Sequence, residues 1–539
     1  MKHFLLFFTL IFSFSTVTLY LSERLDVYSL NYDSFNAYFE ENSDGSLTLH
    51  WEKLNYPAYY VVETCQKTTG ILDSTVKYHI LDTFTTHSNS YKLENFSLPL
   101  YYRITAYGIF GRIGTPTEYL ENPHFPALKR PIPIFRYDEI NKASLMPFLV
   151  WHKVPTAVCY EFELLSGLPD SEGGVTLSKK NHLFNTREIF TNGYQADLRK
   201  FSEHKHLYYR VRALGLHHEP IGEFSEAQKI VTDKNLPFPN RPLVNDFDVI
   251  KGYAALLYPV FDFIPLNGIK RYEVELLTEP PKMPNNAEPT ANRVWFKILE
   301  NSITAYDEYP RPYAGAYYFR VRAIDSNGNT IGVYSDTKKF EVKEYKKRAR
   351  LAVFGDSITH GGGAVSYSPA SLEYSYNTYL DIPAINLGRS GDTSATSLER
   401  LERDVSHFKP KNLLILTGTN SLRTPTISAK EVIGDIDEME KICVAKDIRP
   451  IFLTLMPINP QNILFAFQAE TDPKWREKLK KINDHIKSKN YFIDLEPYFY
   501  DEKRENMDTE FSIDGLHPDI KGKMLMAEII NLHKHLIRE

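Results

Sequence analysis

Two hydrophobic rhythms divide the chain. From residue 36 to residue 346, apolar and polar positions alternate over short runs, as in Tyr160-Glu-Phe-Glu163 and Tyr272-Glu-Val-Glu275. Period-two alternation predicts strands with one buried face. Tyr160, Phe162 and Leu164 are therefore expected in a core, with Glu161 and Glu163 in solvent. Clusters such as Ser326-Asn-Gly-Asn329 punctuate these runs as turns. From residue 349 the rhythm changes. Near-continuous apolar runs at Arg350–Phe354, Ala384–Leu387, Asn412–Leu416, Ile451–Leu455 and Tyr491–Leu495 predict strands. Helical spacing fills Ala429–Ala445, Lys474–Lys489 and Lys521–Ile537. Apolar strands alternating with helices predict a parallel sheet covered on both faces.

The strand-rich part repeats. Tyr101-Tyr-Arg-Ile-Thr-Ala106, Tyr208-Tyr-Arg-Val-Arg-Ala213 and Tyr318-Phe-Arg-Val-Arg-Ala323 are copies of one strand, spaced by 107 and 110 residues at Arg103, Arg210 and Arg320. Ile113-Gly114, Ile221-Gly-Glu-Phe-Ser225 and Ile331-Gly-Val-Tyr-Ser335 follow them, and the aromatic landmarks Trp51, Trp151 and Tyr258 precede them. That period fits one two-sheet sandwich, giving modules at 36–130, 131–240 and 241–346. With Trp51, Trp151 and the Tyr317–Ala323 strand, the modules resemble fibronectin type III domains, an immunoglobulin-like sandwich of another family being the alternative. Two roles stay open for them. The favoured one is spacing and presentation, with the aromatics in the cores; the other is binding a cell-surface glycan or protein.

Residues 1–22 stand apart. Lys2 and His3 precede 18 uncharged residues from Phe4 to Leu21, which predicts a signal peptide or an uncleaved signal anchor. The body of the chain is then extracytoplasmic: secreted, periplasmic or anchored to the membrane by this segment alone. A net charge of -5 argues against a nucleic-acid partner. Cys65, Cys159 and Cys443 are too few and too scattered for a disulfide framework or a zinc site.

The chemistry falls at the carboxyl ends of the predicted parallel strands, where open α/β sheets build their sites. The first strand runs into Gly355-Asp356-Ser357, the second into Gly388-Arg-Ser-Gly391-Asp392, and the third into Gly418-Thr419-Asn420-Ser421; Asp514-Gly-Leu-His517-Pro518 follows the fifth. A serine hydroxyl needs a base to take its proton, and the base needs an orienting partner. His517 and Asp514 meet those needs for Ser357. The backbone N–H groups of Ser357 and Gly391 and the side-chain amide of Asn420 suit a developing oxyanion. Thr359-His360-Gly361-Gly-Gly363 reads as a loop beside the acyl pocket.

These blocks, in this order across residues 349–539, resemble the SGNH (GDSL) hydrolase family. The resemblance implies a three-layer α/β/α, flavodoxin-like domain and ester hydrolysis without metal or cofactor. It implies Ser357 as nucleophile, His517 as base and Asp514 as its partner, with Ser357, Gly391 and Asn420 as the oxyanion hole. One position departs: the family has Asp after the block-three Asn, where Ser421 stands here. The expected function is release of a short acyl group, acetate above all, from an acylated glycan or small ester. A lysophospholipase or thioesterase, an O-acyltransferase, or a non-catalytic adhesion protein are the alternatives.

Overall fold

A computed structural model describes residues 36–539 except 43–46, 55–57, 73–74, 94–99, 110, 124–129, 135–136, 155, 171–173, 175, 245–256, 343–347 and 364–373. The proposed targeting segment 1–22 lies outside the described residues. The chain divides into two compact units: within the described residues, one takes in 36–67 and 80–123, the other 68–79 and 130–539.

In the first unit, Leu47–Trp51 pairs antiparallel with Ala37–Glu41 on one side and Ser90–Lys92 on the other. Tyr59 to Gln66 pairs with Leu100 to Tyr107 in a second sheet. Trp51 is buried with its ring edge-on to Tyr60, 5.5 Å away. The second unit begins with two more strand-rich segments. In 137–230 the strand order is His182–Ile189, Cys159–Leu165, Leu207–Leu214, Gln228–Ile230, with Phe148–Val150 and Gly193–Gln195 pairing separately. In 243–342, Arg293–Glu300, Arg271–Leu277 and Gly315–Ile324 are consecutive neighbours in one sheet, and Leu243–Val244, Val260–Ile264 and Thr304–Tyr306 form another. All these pairs are antiparallel.

Two expectations need correcting. Glu161 and Glu163 do not face solvent; both are fully buried, as is Glu275. The strands do alternate, but loops cover their second face, so charges there must be paired. Glu163 meets Arg210 at 2.7 Å and Glu161 accepts from Arg212 Nε at 2.7 Å. The next repeat has the same ladder, with Glu275 on Arg320 at 2.7 Å and Glu273 on Arg322 at 3.1 Å. Phe224 lies under both arginines of the first pair and Tyr334 under those of the second, at 3.8 to 5.3 Å. The repeated Arg-x-Arg and the Phe or Tyr of the following motif are thus one buried device. The second correction concerns Tyr258. The ring that matches Trp51 and Trp151 is Phe263, nine residues before Tyr272 and 4.7 Å from it. Tyr258 precedes that strand and packs into the core of the C-terminal domain.

That domain holds a five-stranded parallel sheet of β1 (Leu351–Gly355), β2 (Ile385–Gly388), β3 (Asn412–Leu416), β4 (Arg449–Leu453) and β5 (Phe492–Ile493), in the order β2-β1-β3-β4-β5. Among the described residues its α-helices are α1 (Ser357–His360), α2 (Ser394–Phe408), α3 (Thr419–Arg423), α4 (Ala429–Ala445), α5 (Pro460–Phe467), α6 (Trp475–Lys487) and α7 (Ile520–Leu532). The order is that of a flavodoxin-like sheet, whose switch point lies between β2 and β1 on one side and β3 on the other. The last predicted helix stops at Leu532 and continues as a 3-10 turn at Lys534–Leu536. Helix α2 escaped the periodicity because its buried face carries Ser397, Arg400 and Asp404 beside Leu401, Val405 and Phe408.

Removing one charge from the ladder tests its role. Glu275→Gln leaves the buried Arg320 without its carboxylate, and loss of a buried partner costs about 3–5 kcal/mol. The thermal unfolding midpoint of this repeat, read by calorimetry, is expected to move down by several degrees. An unchanged midpoint would mean that the loop carbonyls alone satisfy Arg320.

Candidate active site

Helix α1 follows β1 directly. The Asp356 carboxylate accepts the Ile358 N–H at 3.0 Å, capping α1 and setting Ser357 on its first turn. Ser357 Oγ lies 2.9 Å from His517 Nε2, and His517 Nδ1 lies 2.9 Å from Asp514 Oδ2. With Nδ1–H donating to the carboxylate, Nε2 is left to accept the serine proton. The other Asp514 oxygen accepts the N–H groups of Leu516 at 2.8 Å and His517 at 2.7 Å. Burial pushes the Asp514 carboxyl up, but the imidazole and these backbone donors outweigh it and hold it below its usual range. It stays ionised and orients the His517 imidazole. The Asp–His loop is fixed from α5: Asn462 donates to the Ile513 carbonyl at 2.8 Å, and Phe467 stands edge-on to the His517 ring. Gly362 is required by the close approach, since a Cβ there would lie 2.8 Å from the Ser357 carbonyl and 3.1 Å from His517 Cδ2.

Ser357, Gly391 and Asn420 follow the ends of β1, β2 and β3, which are neighbours in the sheet. Gly391 has φ +87°, a conformation that costs a side chain dearly, and it is exposed at the rim. Asn420 donates one amide hydrogen to the Asp392 carbonyl at 2.9 Å, which fixes the side chain while leaving its second N–H for a ligand. Ser421 is no gap. Its hydroxyl accepts the Ser394 N–H at 3.0 Å, and the Ser394 hydroxyl donates to Asp435 on α4 at 2.6 Å. A carboxylate thus still supports this corner, one hydroxyl further away.

The largest element missed from sequence is Arg400. Its buried guanidinium donates to Asp392 at 2.6 Å, Asp404 at 2.8 Å, the Leu387 carbonyl at 2.8 Å and the Gly355 carbonyl at 2.9 Å. Tyr258 joins from the third repeat, donating its hydroxyl to Asp404 at 2.7 Å. His360 is not a loop residue but the buried end of α1. Its Nδ1 accepts the Ser390 N–H at 3.1 Å, and its Nε2 lies 2.8 Å from the Tyr258 carbonyl. Burial pushes His360 down to about 4, so it is neutral at pH 7. Lys523, buried behind α1, donates to the Ile358 carbonyl, and burial pushes it down to about 7. Among the described residues no group of three or more His, Cys, Asp or Glu is placed to hold a metal ion.

The family model for the GDSL-like lipase/acylhydrolase family matches residues 353–525. The C-terminal domain belongs to this family. An acetylxylan esterase of Geobacillus stearothermophilus is 25% identical to this chain over 203 residues, covering 33% of the chain and 90% of that protein. A putative acylhydrolase of Bacteroides fragilis is 24% identical, covering 36% of this chain and 91% of its own, with a TM-score of 0.29. A lipase/acylhydrolase of Enterococcus faecalis is 23% identical over 34% and 94%, also at 0.29. The domain is therefore a hydrolase domain with esterase and acylhydrolase relatives.

The buried His360 gives the acylhydrolase domain a pH signature. Unfolded, it takes up a proton near its ordinary 6.5; folded, only near about 4. Between those values the unfolded chain binds more protons, so His360 lowers stability as pH falls from about 6.5 to about 4. His360→Gln is expected to lose stability less steeply than wild type across that window, read as thermal midpoints from pH 7.5 down to 4.5. Parallel curves would contradict a buried neutral imidazole.

Proposed function

We propose that the chain is an extracytoplasmic serine ester hydrolase that removes short acyl groups, acetate above all, from a carbohydrate or small ester. The observation that carries this is the unbroken relay from Ser357 through His517 to Asp514, with 2.9 Å at each step. Ser357 Oγ attacks the ester carbonyl as its proton passes to His517 Nε2. The oxyanion forms beside the Ser357 and Gly391 N–H groups and the free Asn420 amide hydrogen. As the tetrahedral species collapses, the His517 imidazolium hands its proton to the leaving alcohol oxygen. Water then attacks the acyl-serine by the same route in reverse, releasing the acid.

Support for acetate comes from the relative named as an acetylxylan esterase. The export reading rests on the charged start and apolar run of residues 1–22. The strand-rich segments are read as three fibronectin type III-like modules, because each carries the same two-strand Tyr and Arg pattern on antiparallel sheets.

The purified chain lacking residues 1–22 is expected to hydrolyse p-nitrophenyl acetate faster than the butyrate and octanoate. Ser357→Ala should abolish turnover, and Asn420→Ala should lower kcat by about 100- to 1000-fold with little change in KM. A preference for octanoate would exclude the short-acyl reading, and turnover retained in Ser357→Ala would exclude the serine mechanism.

A further inference from the structure

The third repeat does more than sit beside the acylhydrolase domain. The strand Thr304–Tyr306 ends with Tyr306 against the oxyanion loop: its hydroxyl lies 3.8 Å from where a Cβ on Gly391 would project. The ring is held from two sides. It stands nearly perpendicular to His360, 85° between planes with centroids 6.2 Å apart, and the Lys297 ammonium lies over it at 4.6 Å. Lys297 is in turn paired with Glu308, which accepts the Trp295 indole N–H at 3.1 Å. The hydroxyls of Tyr258, Tyr272 and Tyr334 are all hydrogen-bonded within the protein. That of Tyr306 has no such bond among the described residues. A half-buried tyrosine held rigid, with its hydroxyl unspent beside an exposed oxyanion donor, suits a ligand.

We propose that Tyr306 is a substrate-binding residue of the serine site, its hydroxyl bonding a polar oxygen of the acylated alcohol. The inference rests on the ester-hydrolase reading above and deepens it. An ester carbonyl held at Gly391 places the atoms next to the ester oxygen within reach of this hydroxyl. The surrounding groups are an aromatic ring, an ammonium and a carboxylate, with Arg389 further along the same loop. Such a wall fits a polyol or sugar, whose hydroxyls trade hydrogen bonds and whose C–H faces lie on rings. The third repeat therefore forms one wall of the binding site.

Tyr306→Phe keeps the ring and its packing and removes only the hydroxyl. With the full chain lacking residues 1–22, kcat/KM for 6-O-acetylglucose is expected to fall about five- to tenfold, the worth of one hydrogen bond. For p-nitrophenyl acetate, whose alcohol part carries no hydroxyl, the change should stay under twofold. Equal loss on both esters, or none on either, would overturn the proposal. So would a wild type that cleaves p-nitrophenyl acetate but not the acetylated sugar. A wild type that cleaves neither ester would overturn the hydrolase reading itself, a result distinct from the other three.

Discussion

One buried guanidinium holds the candidate site together. Arg400 binds the carbonyl that precedes Asp356 and Ser357, the carbonyl of Leu387 at the end of β2, and the carboxylate of Asp392 beside Gly391. The strand that leads into Ser357 and the loop that bears Gly391 are thus tied to a single rigid group. Placing a charge there is affordable only because Asp392 and Asp404 neutralise it and Phe354 and Tyr258 cover its faces, at 4.2 and 5.3 Å. Asp404 also receives the Tyr258 hydroxyl, so the same ion cluster docks the third repeat.

Legibility followed the physics of each element. The parallel strands are apolar on both faces and announce themselves as runs, and the site blocks stand at their ends. Helix α2 hid because the residues it buries are polar, so apolar spacing fails where the electrostatic network succeeds. Glu161 and Glu163 misled for a related reason: alternation says which residues share a face, not whether a loop covers it. Tyr258 stands at about the place of the repeat landmark, but the nine-residue spacing to the next strand's tyrosine singles out Phe263 instead. The support of Asn420 was illegible because Ser394, Ser421 and Asp435 are distant in sequence and meet only through folding.

The repeats and the catalytic domain share a logic of paired charges in covered places. In the repeats, Glu–Arg ladders with an aromatic beneath let two strands carry charge into the interior. At the docking face, the Arg400 cluster does the same between segments. Further round the rim, Val158 and Leu216 of the second repeat pack with Ala466 and Ile513, next to the loop that bears Asp514. Both flanks of the relay are therefore braced by strand-rich segments, which bears on precision, since acyl transfer depends on sub-ångström placement of base and nucleophile.

The relay is tested most directly by trapping its nucleophile. A fluorophosphonate reacts covalently with a serine whose proton a neighbouring base removes. Peptide mass spectrometry of the treated chain should place one adduct on Ser357, formed far more slowly in His517→Ala. An adduct on a different residue, or one formed at an unchanged rate without His517, would contradict the serine–histidine–aspartate relay.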